Sequence, residues 1–234
     1  MTYTKISADA FQELQLNAGV LLSTFDPANP AAPADADIIC TTSGGIAATC
    51  APTFSDFGED VDNCPNNMME FKRLDGWDCS MAFTSIRFNP MNIKLSLGAA
   101  DSETTYKASA DTTVQTGKTY YTRSGSGTSQ SPYVYTPVTS PTGNPSTSNY
   151  YEASGGTITP RAELKSADFA TLWWVGDKTD GGAVAIKLMN ALSTGGFSMQ
   201  TTKNAKGTMA MTITGHVSKD AQSVVPMEFY VIGA

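Results

Sequence analysis

Charge is scarce in this chain. Asp, Glu, Lys and Arg together make up 16% of its 234 residues, where about a quarter is usual for a soluble domain. Basic residues are the scarcer kind, 15 against 22 acids, for a net charge of −7. A chain of that sign does not hold nucleic acid by neutralising phosphates, although weak repulsion suits a wall that DNA must slide past. Histidine occurs once, at His216, far in sequence from the four cysteines Cys40, Cys50, Cys64 and Cys79. No cysteine pair has zinc-ligand spacing, so a zinc site is not expected. Two readings of the thiols stand: buried free cysteines, or disulfides formed under oxidising conditions. No apolar run approaches the ~18 residues of a membrane span. Met1 to Phe11 lacks a basic start followed by an apolar stretch, which predicts a soluble chain made in the cytoplasm without a secretion signal. No Asn-x-Ser/Thr acceptor with a permitted middle residue occurs.

What is abundant is small and polar. Hydrophobic residues, at 41%, are enough for a core, so the surface must be built largely from Ser, Thr, Asn, Gln and Gly. That composition suits β-structure. Three zones follow one another. Residues 1–101 and 157–234 mix apolar and polar positions, while 102–156 are dense in Ser, Thr, Gly, Pro and Tyr and poor in Leu, Ile and Met. The middle zone reads as an insertion in the outer fold, where a long loop costs little closure entropy. Its aromatic runs, Thr119–Thr122, Tyr133–Tyr135 and Tyr150–Glu152, predict three small strands between turn-formers. Its low aliphatic content equally fits a flexible loop.

In the first zone Ser7 caps a predicted short helix reaching Leu14, and Gly19–Phe25 reads as a strand stopped by Asp26-Pro27. Gly44-Gly45 predicts a hairpin joining Ile38–Cys40 to Ile46–Phe54, and Asp75-Gly76 a second joining Glu70–Leu74 to Trp77–Phe88. Asn89-Pro90 supplies a cap and a first-turn proline for a helix over Met91–Ala99. In the third zone Ser166–Leu172 reads as a short helix with Asp168 in its first turn. Strands are expected at Trp173–Gly176, Ala183–Leu192, Gly196–Thr202, Gly207–Val217 and Pro226–Ile232. Met209–His216 alternates apolar with polar, as a half-buried strand does. The expected fold class is therefore mainly β, a β-sandwich or open β-barrel with one to three short helices, plus an inserted small β or flexible module.

Catalytic patterns are fragmentary. Asp56-Phe57-Gly58 matches the magnesium triplet of protein kinases but has no phosphate loop, strand lysine or catalytic-loop motif beside it. Asp56–Asp62 is the densest acidic run, with Gly58 misplaced for a calcium loop. Gly125-Ser-Gly127 lacks the lysine of a phosphate loop. His216, alone on an alternating strand, fits a surface or interface residue better than half of a nucleophilic dyad. Trp173-Trp174 reads as a core anchor beside an interface aromatic. No constellation of acid, base and nucleophile is visible, and neither an enzyme nor a cofactor or metal site is expected.

Read as an ordered series, certain stretches resemble the major tail tube proteins of long-tailed bacteriophages. They are Leu16–Pro27, Gly44–Ile46 leading into Pro52–Pro65, Gly98–Asp101, Ile158–Arg161, Trp173–Asp177, Ala191–Phe197 and Gly207–His216. The likeness covers the first and third zones; the middle zone resembles small modules that phages carry as insertions. It implies a β-sandwich or barrel flanked by a helix. It also implies homo-hexameric rings stacked into a hollow, β-lined tube that delivers double-stranded DNA without binding it specifically. Tail terminator, tape measure and baseplate proteins would be its partners, and the virion, assembled in the host cytoplasm, its location. Candidate subunit-interface residues are Leu16, Val20, Leu21, Leu22, Phe25, Trp174 and His216. The N-terminal segment and the loop from Pro27 to Ile38 are candidates for contacts between rings, and some acids are expected to line the channel. Another virion component, such as a tail terminator or decoration protein, or a glycan-binding module, is the alternative.

Overall fold

A computed structural model describes residues 14–15, 17, 19–58, 61–65 and 67–233. It is mainly β, with two antiparallel sheets in two compact units. The first unit comprises the described residues of Met1–Ala100 and Pro160–Ala234, the second Asp101–Thr159. Strands β1 (Val20–Leu22), β2 (Ile38–Cys40), β3 (Thr42–Asp56) and β4 (Lys72–Ser85) precede helix α1 (Pro90–Leu97). β5 (Ala100–Ala108), β6 (Tyr121–Ser124), β7 (Val134–Pro137) and β8 (Tyr151–Pro160) form the smaller sheet. β9 (Ala170–Asp177), β10 (Ala183–Ser193), β11 (Ser198–Gln200), β12 (Thr208–Gly215) and β13 (Met227–Ile232) return to the larger one.

The larger sheet is organised by a bend in β10. Ala183–Leu188 lies between β9 and β13, whereas Ala191–Ser193 pairs with β12. Between them Asn190 takes φ +46°, in the left-handed region that asparagine tolerates. Its side-chain amide donates to the His216 carbonyl at 2.9 Å, and its own carbonyl accepts the His216 N–H at 3.2 Å. The bend yields two wings, β2-β1-β9-β10-β13 and β3-β4-β12-β11. Their core faces meet in one cluster, to which the first wing brings Leu21, Leu172, Leu188 and Met227 and the second Met81, Phe83, Met209, Met211 and Ile213. Full burial of each such side chain is worth about 1.5–3 kcal/mol. The terminal strands β2 and β3 do not pair with each other, so the sheet does not close into a barrel.

Helix α1 forms as the sequence dictates. Asn89 Oδ1 accepts the Asn92 N–H at 2.7 Å, Pro90 opens the first turn, and Gly98 at φ +73° ends the helix before Ala99. Three other expectations fail. β2 pairs with β1 and not with β3, and Gly44-Gly45 lie inside β3, where the register with β4 breaks between Thr42 and Ile46. β4 runs straight through Asp75-Gly76, whose extra residue is absorbed by a register shift opposite Thr53 and Phe54. Both Gly dipeptides therefore serve as irregularities within long strands and not as turns. Ser166–Leu172 gives only a 3-10 turn, Ser166–Asp168. From Ala170 the β-favouring Thr-Leu-Trp-Trp-Val run is held in β9 by pairing on both sides, with β1 and β10. The helix expected from Ser7 falls on residues outside the described set, apart from Leu14.

The smaller sheet, in the order β5-β8-β6-β7, stands on tyrosines where aliphatic residues are missing. Tyr106 stacks on Tyr135 with ring centroids 3.9 Å apart, and Tyr121 and Tyr151 meet this pair edge-on. The Arg123 guanidinium lies 4.4 Å from the Tyr133 ring centre and 4.7 Å from that of Tyr151. Tyr120 is fully buried, and its hydroxyl donates to Asp111 at 2.6 Å. Lys118 bridges Asp111 at 2.6 Å and Glu152 at 2.9 Å, and the Ser109 hydroxyl donates to Glu152. Three of these strands each overlap an aromatic run by two residues and extend beyond it towards the C-terminus; β5 has no counterpart among the expected strands.

Candidate assembly surfaces

The second wing is open at both ends. Among the described residues β3 pairs only with β4, and β11 only with β12. Each therefore presents a row of unpaired backbone groups, the usual template for pairing with another chain. β3, at 15 residues, is the longest strand of the chain. Its alternation sends Ile46 and Cys50 towards the core, opposite Phe83 and Cys79. The register then fixes the composition of the other face. Ala47, Ala82 and Thr212 lie side by side there, as do Thr49, Ser80 and Thr214, with Thr84 beside Ala210. These side chains are short and uncharged, and they remain partly or fully exposed. Asp78, opposite Ala51, brings one carboxylate to this face.

The β12 pairing ends at Ser80, opposite Thr214, but β3 and β4 continue together to Asp56 and Lys72. This two-stranded arm carries bare apolar side chains: Phe54, Leu74 and, just beyond β3, Phe57 are each about half exposed. Of its ion pairs, Lys72 with Asp56 at 3.7 Å is half-buried on the acid side, and Arg73 with Asp75 at 3.2 Å is open to solvent and contributes little. The kinase-like triplet sits here as local structure, since Asp56 Oδ1 accepts the Gly58 N–H at 3.0 Å. Of the acidic run that follows, Glu59 and Asp60 are outside the described residues.

The first wing ends on β13, which pairs with β10 along one side and, among the described residues, with nothing on the other. Met227, Phe229 and Val231 share a face there. Met227 reaches the core, while Phe229 and Val231 stay 59% and 76% exposed. On the opposite face Glu228 accepts the Tyr230 hydroxyl at 2.6 Å and Lys187 Nζ at 3.0 Å. These two bonds hold its carboxyl below the ordinary range, the tyrosine contributing more.

The interface residues expected from sequence are dispersed by this fold. Leu21 and Leu22 are 0% and 2% exposed on a strand flanked by β2 and β9. Their side chains and backbone are taken up inside the chain, and they are core residues here. Trp174 packs against the same core, and its indole closes over Gly19, at φ +68°, where an added Cβ would lie 2.3 Å from the ring nitrogen. Val20 and Phe25 are half-buried around Trp173, with Phe25 edge-on to it at 5.6 Å. His216 braces the β10 bend and lies edge-on to Phe169 at 5.5 Å. Leu16 is outside the described residues. The loop after Phe25 helps to line a cleft of about 560 Å³ with Val20, Leu22, Pro30 and Pro33. At its rim Asp177 is engaged by the Asn17 amide at 2.5 Å. The open edges and the exposed pair on β13 were not among the expected residues. Phe229 and Val231 sit in an unbroken apolar run whose alternation does not tell the covered face from the bare one. All four cysteines are free thiols, and among the described residues no three His, Cys, Asp or Glu side chains converge as a metal site would require. Comparison with models of known protein families and with curated proteins gives no match in either case.

Proposed function

We propose that this chain is a structural subunit of a bacteriophage tail tube, which closes into hexameric rings that stack into a hollow duct for double-stranded DNA. The observation that carries the reading is the second wing, open at both edges, with a bare face of short, uncharged side chains. Pairing of the β3 edge of one subunit with the β11 edge of the next continues the sheet from subunit to subunit. A heterologous contact of that kind closes into a ring when the rotation permits. The Ala/Ser/Thr face then lines the duct. Its Ala/Ser/Thr part carries no cation to grip phosphates, Arg73 further along the same face is paired with Asp75 at 3.2 Å, and Asp78 with the net charge of −7 repels DNA within the screening distance of about 8 Å. The apolar arm and the β13 edge supply further surface for neighbours within and between rings. Tail terminator, tape measure and baseplate proteins are the partners such a tube meets at its ends and in its channel. The ring number and the tail-tube type rest on the resemblance of the first and third zones. Cryo-electron microscopy of the concentrated full chain tests the reading. Hollow filaments with six-fold projections are expected. Material that remains single at high concentration, or a duct lined by basic side chains, overturns it.

A further inference from the structure

Cys50 and Cys79 are direct cross-strand partners on β3 and β4, with their sulfurs 3.3 Å apart. Residues opposed in this way have Cα atoms about 4.5–5.5 Å apart, inside the ~4.4–6.8 Å window of a disulfide. Closing the sulfurs to about 2.0 Å then requires a change of side-chain torsion and no movement of either strand. The pair also holds a particular place, because Cys79 directly precedes Ser80, the last β4 residue of the β12 pairing. It therefore marks the base of the apolar arm. Cys40 and Cys64 lack this arrangement. Cys40 is buried on β2, and the Cys64 sulfur lies 3.3 Å from that of Met68.

We infer that Cys50 and Cys79 are an oxidation site, which a small-molecule disulfide such as oxidised glutathione converts to a cross-strand disulfide that staples the arm at its base. The Cys50 thiolate, half-buried and within reach of solvent, attacks the external disulfide and releases one thiolate. Cys79 then gives up its proton and attacks the Cys50 sulfur, releasing the second. Two cysteine thiols are oxidised, the disulfide is reduced to two thiols, and the protons pass to them. Burial is the first cause that pushes the Cys79 thiol up, with Cys50 the second. Cys79, closed to solvent while Cys50 is not, resolves the mixed disulfide and does not start the reaction, and closure quickens as the pH is raised. The inference does not depend on tube formation and applies to the single subunit.

The test treats native full chain with oxidised glutathione at mildly alkaline pH and follows it by intact mass, thiol titration and non-reducing peptide mapping. Two of the four cysteines should disappear from the titration, the mass should fall by two hydrogens, and one cross-linked peptide should join Cys50 to Cys79. Cys79→Ala should stop at a single glutathione on Cys50. Unfolding the wild type in urea before oxidation should abolish the preference for this pair. Four titratable thiols after native treatment, a cross-link through Cys40 or Cys64, or a stable glutathione adduct on the wild-type chain would each overturn the inference.

Discussion

The double substitution Phe229→Ser/Val231→Ser separates the proposed assembly surface from the fold. Both side chains already face solvent in the single subunit, at 59% and 76% exposure, so removing them should change its stability by no more than about 0.5 kcal/mol. In an assembly that covers β13 the same side chains lose their remaining exposure. Full burial is worth about 3 kcal/mol for Phe and about 1.5 for Val, so the uncovered fractions contribute roughly 1.8 and 1.1 kcal/mol, together about 3 kcal/mol per contact. At about 1.4 kcal/mol per decade this raises the concentration needed for assembly roughly 100-fold. Sedimentation velocity over a concentration series reads the shift, with thermal melting as the control. An unchanged threshold alongside a normal melt would show that β13 is bare in the assembly too and would remove this edge from the proposal. A large loss of stability in the single subunit would refute the premise that the two side chains are idle there.

Two further perturbations test the fold itself. Leu188 is fully buried where Leu172 of β9 and Met227 of β13 flank β10, so Leu188→Ala should destabilise the larger unit by about 2–5 kcal/mol. Chemical denaturation followed by tryptophan fluorescence measures this, since Trp77, Trp173 and Trp174 all lie in that unit. A loss below about 1 kcal/mol would contradict the core assignment. In the smaller unit the Asp111 carboxyl is held below its ordinary value of 3.8, first by Lys118 and then by Tyr120, and that of Glu152 below 4.5, first by Ser109 and then by Lys118. Lowered carboxylates stabilise the fold fully above those ordinary values, and the contribution is lost as the pH falls through the lower, folded ones. Lys118→Met should therefore move the acid transition of the tyrosine near-ultraviolet dichroism to higher pH. That signal comes largely from this unit, because all nine tyrosines except Tyr3 and Tyr230 lie in it. The tryptophan transition should stay in place, and an unmoved tyrosine midpoint would refute the role given to Lys118.

Strand-forming segments were legible wherever one face is buried and the other is not. The Thr/Met/Ile alternation of β12 survives almost residue for residue, because Met209, Met211 and Ile213 all enter the core. Asn89 and Pro90 defined the start of α1 for an equally local reason, a side-chain cap and a ring that fixes the first turn. Pairing partners were less legible. Gly44-Gly45 and Asp75-Gly76 have the chemistry of hairpin turns, yet a long partner strand turns each into a local irregularity, and only the three-dimensional register decides between the two. The expected interface residues lie in the stretches that carry the resemblance. Leu21 and Leu22 among them are covered by the chain itself, while the backbone edges of β3 and β11 stay open because their exposure depends on where neighbouring strands stop.

The passage of β10 through both wings has a mechanical consequence. Tension applied to β13 at one margin and to the β12 side at the other converges on one continuous polypeptide, so the load between the wings is borne by covalent bonds as well as by side-chain contact. Asn190, clasped by His216, is the joint in that line.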